Sequence, residues 1–319
     1  MIETEYSKVS FFQQYSDRNQ GVIGALMLVL VVMIALFAPW IAPYDPYVPV
    51  SATTEDVLAP PSREHPLGQD EVGRDVLSQV IYGARISLLV GFAASLLTIL
   101  LGCTIGLVSG FAGGRVDTFL MRITDGVLVI PTLPLMLVII AVAGRGIGLI
   151  ILVIGLFSWP YTARVVRAQV FSVKERQFVM RARAIGVSSF GIMMVHILPQ
   201  VLPVIFASAT LDISAAILAE AGLAFLGLGD PTLISWGSML NRAFSRGAVS
   251  SGAWWYLVPP GFMLVWVTLG LNLVSNTIQE IINPRLRTHH LFDERKITSL
   301  LGRLGSQLSS ASSPRGTKQ

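Results

Sequence analysis

Long stretches of the chain carry no charged residue, and their lengths organise the sequence. The charge-free stretches lie between Arg18 and Asp45, Arg85 and Arg115, Asp125 and Arg145, Arg145 and Arg164, and Arg246 and Glu280. Each is long enough for the roughly 20 apolar residues that cross a bilayer as a helix. A sixth apolar stretch contains two acids, Asp212 and Glu220. The pattern predicts six membrane-spanning helices at 21–43, 86–109, 119–142, 147–165, 201–226 and 257–279.

The spans are predicted to be helical, because strands or irregular backbone exposed to lipid would leave polar groups without hydrogen bonds. The first span is longer than the apolar core of a signal peptide, about 7–15 residues, and is expected to be retained. Hydrophobic residues make up 53% of the chain and charged residues 13%, about half of the roughly 25% charge of soluble proteins. The mean hydropathy is +0.66. The predicted fold class is therefore an all-α polytopic membrane protein.

Several kinds of chemistry are excluded by composition and motifs. The single cysteine, Cys103, excludes an internal disulfide and a multi-cysteine metal site. The sequence contains no phosphate-binding loop, no HExxH and no Ser-x-x-Lys motif. The histidines are scattered and do not predict a metal site: His65, His196, His289 and His290. We therefore expect no catalytic residue, no metal and no cofactor on this chain, and no nucleic-acid partner, since 23 Lys and Arg nearly balance 19 Asp and Glu.

The distribution of basic residues predicts the orientation in the membrane. Segment 166–200 and the tail after the last span are rich in Lys and Arg, whereas loop 44–84 is acidic. The segments on the other side hold few basic residues: Arg63, Arg74, Arg145, Arg242 and Arg246. Segment 1–20 and tail 283–319 are therefore expected in the cytoplasm, the tail being mobile because it is polar. Loop 44–84 is expected outside, as a docking surface or lid rather than a simple tether.

The cytoplasmic segment 166–200 is much longer than a simple connection between helices. Within it, Phe178, Ala182 and Gly186 recur every four residues and predict an exposed ridge of one aromatic and two small groups on a helix. Gly186 is predicted to end that helix in the left-handed conformation. The spacing alone favours neither of two roles over the other: lying on anionic membrane lipid or docking a partner protein.

Two further features lie within the predicted spans. Gly102, Gly106 and Gly110 form a GxxxGxxxG ridge that permits close helix packing, either within this subunit or against another. Asp212 and Glu220 lie eight residues apart on one predicted helix, about 12 Å along its axis. Because a charge in the membrane is costly, Asp212 is expected to line a transport path or to make a buried hydrogen bond. Glu220 is expected to be half-buried near the outer end of its helix.

Several motifs together resemble one family. Gly186, Ile197 and Pro199 match the EAA motif of ATP-binding-cassette importer permeases, in which Met180, Arg181 and Ala182 occupy the EAA positions and only the last Ala agrees. Residues 42–46 (APYDP), 65–75 (HPLGQDEVGRD), 82–88 (YGARISL), 225–229 (FLGLG), 235–237 (SWG) and 283–287 (NPRLR) resemble the second permease of dipeptide, oligopeptide and nickel importers. The same order of motifs includes Asp117, Arg122, Asp125 and Pro131. The signature loop residues are Gly68, Asp70, Gly73, Arg74 and Asp75.

The resemblance implies a type I importer permease fold with a cytoplasmic coupling helix, in the inner membrane of the cell. It implies a second, similar permease, two ATPase subunits that use ATP and Mg, and an extracytoplasmic solute-binding protein. The residues that it assigns to ATPase docking are Phe178, Arg181, Ala182, Gly186 and Pro199. The residue at the acidic position of the motif is Met180 here, so the usual electrostatic contact is missing.

The solute implied is a dipeptide or oligopeptide, with nickel or another small solute as the alternative on the same scaffold. A different class, an ion-coupled secondary transporter with Asp212 as carrier, would have broken, repeated spans and more charge in the membrane. An intramembrane enzyme would need a nucleophile with a base, or a metal cluster, at mid-depth, and the sequence shows neither. Transport driven by another chain is the favoured interpretation.

Overall fold

The computed structural model describes residues 15–16, 18–50 and 57–282. In these ranges every regular element is a helix, and the only β-type pairing is an isolated bridge between Gln69 and Asp75. The helices are α1 (Asn19–Leu36), α2 (Ala38–Ile41), α3 (Val76–Ala112), α4 (Gly114–Val129), α5 (Thr132–Ala143), α6 (Ile147–Lys174), α7 (Gln177–Ala184), α8 (Ser189–Gly191), a π-helical turn (Ile192–Ile197), α9 (Leu198–Phe225), α10 (Trp236–Ser245) and α11 (Trp254–Ile282). The predicted all-α membrane class is confirmed.

Within the described ranges, five helical stretches are long and apolar enough to cross a membrane: α1, α3, α6, the continuous stretch Ser189–Phe225, and α11. The third predicted span, 119–142, is not one straight helix but the pair α4 and α5, bent by 79°. Pro131 explains the break, because proline disfavours helical backbone at the preceding residue. Ile130 is accordingly extended, with φ −78° and ψ 126°. The count of six holds when the bent pair is taken as one span.

The helices do not end where the predicted spans end: helical hydrogen bonding continues beyond the apolar stretch in α3 and α6 and stops within it in α1. Helix α3 begins at Val76 rather than near 86, since the Asp75 side chain accepts a hydrogen bond from Ser78 N and caps its start. Residues 76–84 therefore belong to a helix and not to the outer loop. Helix α6 continues from the predicted end at 165 to Lys174. The first span is helical only to Leu36, after which Phe37 interrupts the helix before α2.

The glycine ridge of α3 packs against α6 of the same chain. A Cβ at Gly102 would lie 2.8 Å from Thr162 Cβ, and one at Gly106 would lie 2.6 Å from the Ala163 carbonyl oxygen. A Cβ at Gly110 would lie 2.8 Å from Val170 Cβ. Real Cβ atoms do not approach so closely, so glycine is what allows the two helices to touch. The sequence left open whether the ridge meets this subunit or another, and the structure places it within this one.

The chain divides into one compact unit that ends at Gln279 and a second unit, 280–319, of which the structure describes three residues. The predicted mobile tail at 283–319 lies outside the described residues, as does the NPRLR segment. The same holds for most of the predicted cytoplasmic segment 1–20. Those predictions remain predictions.

Candidate functional site

The segment between α6 and α9 folds as the short helix α7, which ends as its sequence predicts. Gly186 has φ +84°, in the left-handed region that glycine adopts without strain. Val187 N donates to Ala182 O and Gly186 N donates to Arg183 O, both at 3.1 Å. This pair of hydrogen bonds is the Schellman motif, which satisfies the last carbonyl groups of a helix. The prediction for Gly186 is confirmed.

Only part of the predicted ridge on α7 is exposed. Phe178 and Gly186 are exposed, and the Phe178 ring lies 6.5 Å from that of His196. Ala182 is only 5% exposed and packs, with Val179, into a cluster that includes residues of this chain's α6 and π-helical turn. The ridge prediction is wrong for Ala182, because the apolar side of a short helix is buried against the core of its own chain. The exposed residues of α7 and its C-terminal end are Gln177, Phe178, Met180, Arg181, Arg183, Ala184, Ile185 and Gly186.

Exposure along this face is uneven. Ile185 is 81% exposed and Met180 is 52% exposed. Arg176, Arg181 and Arg183 are exposed beside them. The face therefore offers apolar side chains surrounded by positive charge. Such a surface can take an apolar partner with an acidic rim.

Pro199, the other residue assigned to docking by the resemblance, lies in the first turn of α9 and is exposed. It follows directly on the π-helical turn Ile192–Ile197. Proline has no N–H to donate to the preceding turn, and a wider π-helical turn is a common way for a helix to absorb such an irregularity. Pro199 thus lies where the segment that contains α7 and α8 connects to the long helix α9.

The signature loop is a buried polar network. The Asp70 carboxylate accepts hydrogen bonds from Val72 N and Arg74 N at 2.9 Å and from Arg74 Nε and Gln79 Nε2 at 2.7 Å. Asp70 and Gln79 are fully buried. All four sites of the carboxylate are therefore used within this chain. The position of Asp70 indicates a structural role in shaping the loop.

Asp75, also fully buried, joins this loop to the membrane helix. Its Oδ2 accepts from Ser78 N and Ser78 Oγ at 2.7 Å, and its Oδ1 lies 3.0 Å from His65 Nδ1. Gly68 and Gly73 have φ +66° and +78°, so both turns need glycine. A Cβ at Gly68 would lie 2.6 Å from the side chain of Trp255. The loop thus packs against the start of α11.

The two acids of α9 have different surroundings. Asp212 is half-buried, and its Oδ2 accepts a hydrogen bond of 2.8 Å from Thr162 Oγ1 of α6. The predicted hydrogen bond is present, and the path role stays a prediction. Glu220 is 3% exposed, so the prediction of half-burial is wrong. Its carboxyl group is hydrogen-bonded to the side chains of Ser87 and Ser235, and Oε2 has no protein partner.

An ion pair that sequence reasoning missed joins α4 to α6. Arg167 Nε and Nη2 donate to the two oxygens of Asp117 at 2.5 and 2.6 Å, a bidentate pair. Ser109 Oγ donates to the same carboxylate. A second pair follows one turn away, with Arg164 Nη2 2.5 Å from Asp125 Oδ1. The sequence gives no signal for either pair, because the partners are 50 and 39 residues apart in the chain.

The described residues contain no group of three His, Cys, Asp or Glu side chains that could hold a metal ion. His289 and His290 lie outside the described ranges. The described residues thus have two features that suit transport. One is the exposed face of α7, and the other is a set of long apolar helices, one of which carries Asp212 and Glu220.

Comparisons with known proteins agree with this architecture. Residues 79–288 match the family model described as binding-protein-dependent transport system inner membrane component. Residues 10–61 match the N-terminal transmembrane domain of oligopeptide transport permease C. The chain is 37% identical to the di/tripeptide transport system permease protein of Pseudomonas aeruginosa over 290 residues, 88% of this chain and 93% of the relative.

Two relatives come from Bacillus subtilis. The oligopeptide transport system permease protein is 33% identical over 275 residues, 86% of this chain and 88% of the relative. The dipeptide transport system permease protein is 36% identical over 277 residues, 86% of this chain and 85% of the relative. With a family model covering most of the helical region, the chain belongs to the family of binding-protein-dependent transport system inner membrane components.

Proposed function

We propose that the chain is a permease subunit of an ATP-driven, binding-protein-dependent importer for dipeptides or oligopeptides. Its relatives named above are permeases of di/tripeptide, dipeptide and oligopeptide transport systems. It lies in the inner membrane with both ends in the cytoplasm, which the basic residues of 166–200 support. A solute-binding protein outside delivers the peptide, and ATP and Mg are used by partner ATPase subunits.

A second permease subunit completes the path. The bent pair α4–α5 supports this, because its side chains are mostly exposed although its helices are apolar enough to enter a membrane. Phe119, Val129 and Val142 are 65%, 82% and 85% exposed in this chain alone. An apolar helix surface of a second permease would cover some of these side chains. Lipid or an apolar substrate path would cover the others.

The exposed face of α7 is the observation that carries the proposal. It presents Met180 and Ile185 beside three arginines, on a helix whose other side is anchored in this chain's core. A groove on an ATPase subunit with an apolar floor and an acidic rim would fit it. The anchoring of Val179 and Ala182 gives the coupling a physical route, since a push on α7 is transmitted to α6 and to the turn before α9.

Ile185→Glu tests the docking role without straining the backbone, because Ile185 has a negative φ and a side chain that is 81% exposed. Loss of an apolar anchor is expected to weaken ATPase binding about tenfold. The measurement is retention of ATPase subunits by the purified complex, together with dipeptide uptake into reconstituted vesicles.

Val249→Glu is the matched control, since Val249 is 61% exposed in the turn-rich segment between α10 and α11. It is expected to leave ATPase retention unchanged. If Ile185→Glu gives normal retention and normal uptake, α7 does not dock the ATPase. Binding of that variant to ATPase but not to vesicles of anionic lipid would assign α7 to the membrane surface instead.

A further inference from the structure

A cavity of about 220 Å³ with both polar and apolar walls lies at the end of α9. Besides the last turn of α9, its walls come from three places in the chain: the turn between α5 and α6, the glycine-containing segment that follows α9, and helix α10. Arg145 enters from the first, Asp230 from the second and Arg242 from the third. All three parts belong to the segments that the charge pattern places outside the cell. Nothing in the importer scheme above uses this cavity.

The two arginines of the cavity have hydrogen-bond donors to spare. Arg145 is exposed and makes no hydrogen bond or ion pair in the described part of the chain. Arg242 donates from Nε and Nη2 to Ser238 O and Oγ, at 3.3 and 3.2 Å, which leaves Nη1 without an acceptor among the described residues. Neither guanidinium lies within 4.0 Å of a carboxylate in those residues.

The one acid of the cavity is already engaged elsewhere. Asp230 Oδ1 accepts hydrogen bonds from Thr232 N at 2.9 Å and Thr232 Oγ1 at 2.6 Å, and the carboxylate also accepts from Ile147 N at the start of α6. The hydrogen bond from the Thr232 side chain is the main cause that lowers the pKa of Asp230 below its ordinary value. Asp230 therefore stays ionised and holds α6 in place, without forming an ion pair with either arginine.

Both guanidinium groups line one cavity and neither forms an ion pair among the described residues, so an anion bound there would be attracted by both. The outer segments of the chain contain few arginines, so two of them at one cavity concentrate positive charge there. A guanidinium presents donors in a planar fork that matches the two oxygens of a carboxylate. The cavity thus has the chemistry of a carboxylate site.

The volume of the cavity favours binding of a small solute over contact with the surface of another protein. It is smaller than the roughly 300–1,000 Å³ of pockets that enclose a whole ligand, so it fits one terminal residue of a peptide. A second cavity, of about 10 Å³, shares Asp230 and Leu233 with it and reaches the buried Glu220. Asp230 and Leu233 thus separate the cavity from a small void beside Glu220.

We propose that this cavity binds the C-terminal carboxylate of the peptide as the peptide passes from the binding protein into the path. Arg145 and Arg242 hold the carboxylate. Asp230 lies in the loop before α10 and contacts the start of α6, so it positions both this loop and the neighbouring turn with Arg145. This inference rests on the proposed function for the class of solute and for the side of the membrane. It adds a recognition site on the permease itself.

Protection from an arginine reagent tests binding directly. The purified wild-type complex is treated with phenylglyoxal, without binding protein or ATP, and modification of each arginine is followed by mass spectrometry. Alanyl-alanine is expected to slow modification of Arg145 and Arg242 several-fold, whereas its C-terminal amide is not. Arg246, exposed one turn beyond Arg242 and outside the cavity, is the internal control and should react equally in all samples. Equal modification of Arg145 with and without alanyl-alanine would overturn the proposal.

Uptake kinetics then show whether the carboxylate that the arginines bind belongs to the peptide or to the solute-binding protein. In reconstituted vesicles, Arg145→Gln and Arg242→Gln are expected to lower kcat about tenfold, the effect of one lost charge-assisted hydrogen bond. The KM for loaded binding protein should stay unchanged, and Arg246→Gln should behave like wild type. A raised KM for the binding protein at unchanged kcat would assign the arginines to its acidic side chains and refute the proposal. Absence of uptake by the wild-type complex, with protection intact, would count against the proposed function alone.

Discussion

Two acids on one helix show how strongly a residue's role depends on its surroundings. Glu220 is buried against the hydroxyl groups of Ser87 and Ser235, while Asp212 is half-buried and bonded to Thr162. A carboxyl group in an apolar interior is stabilised only by the donors that face it. Glu220 therefore joins three elements, α3, α9 and the start of α10, through its hydrogen bonds. An acidic side chain thus serves as a buried link at position 220 and as a candidate path residue at position 212.

Substitution of Glu220 tests this link. Glu220→Gln keeps the size and can still hydrogen-bond both serines, so the thermal stability of the purified permease should change little. Glu220→Met keeps the length but removes the acceptor for the O–H groups of Ser87 and Ser235, which is expected to cost about 1–3 kcal/mol. The measurement is the midpoint of thermal unfolding in detergent. Equal midpoints for the two variants would show that the serine contacts contribute nothing.

At the scale of helices, the contact between α3 and α6 depends on the absence of side chains at three positions. Gly102, Gly106 and Gly110 meet α6 so closely that the Cβ of any other residue would overlap it. The Asp117–Arg167 pair adds a bidentate ionic contact between α4 and α6, and Lys174 Nζ donates to Gly110 O at 2.9 Å. Helix α6 is thus held to its neighbours by packing along its length and by charge near its end.

Gly106→Ala is expected to destabilise this packing, since the new Cβ would lie 2.6 Å from a backbone oxygen that cannot rotate away. Overpacking of this kind costs about 1–3 kcal/mol. Gly126→Ala in α4 is the control, because no atom lies within 4 Å of its Cβ and alanine favours a helix. Thermal unfolding of the isolated permease measures both. A loss of stability with Gly126→Ala but not with Gly106→Ala would contradict the packing described here.

At the scale of the whole molecule, the exposed apolar surface and the distribution of charge define its position in the membrane. Helix α1 exposes Leu26, Val29 and Leu36, each more than half accessible, on the side away from its contacts with α3. Such residues are stable in lipid and costly in water. The docking or lid role of the loop before α3 stays a prediction, although the buried network around Asp70 shows that the described part of this loop is a defined structure.

Labelling with an impermeant thiol reagent tests the proposed topology. In a Cys103→Ala background, a cysteine at the exposed position Glu64 should react from outside intact cells, and one at the exposed position Ser188 should not. Both should react after the membrane is made permeable. Labelling of the Ser188 position alone in intact cells would reverse the orientation derived from the arginines.

Features that depend on one residue or one short stretch could be predicted from the sequence. The apolar stretches identified the membrane helices because the cost of a charge in lipid acts on each residue by itself. Gly186 ended its helix as predicted because a left-handed residue is a property of one backbone position. Pro131 was recognised as part of a motif, but its effect on the third span was missed because prolines also occur within intact helices, as Pro160 does in α6.

Other properties depended on which elements lie side by side, and only the tertiary structure decided them. The burial of Ala182 was set by the core of α6, and the burial of Glu220 by the serines of two other segments. The pairing of Asp117 with Arg167 and the convergence of Arg145 with Arg242 join residues far apart in the chain. Side-chain contacts of this kind are fixed by the packing of helices, and the hydrophobic pattern that brings helices together does not specify their neighbours.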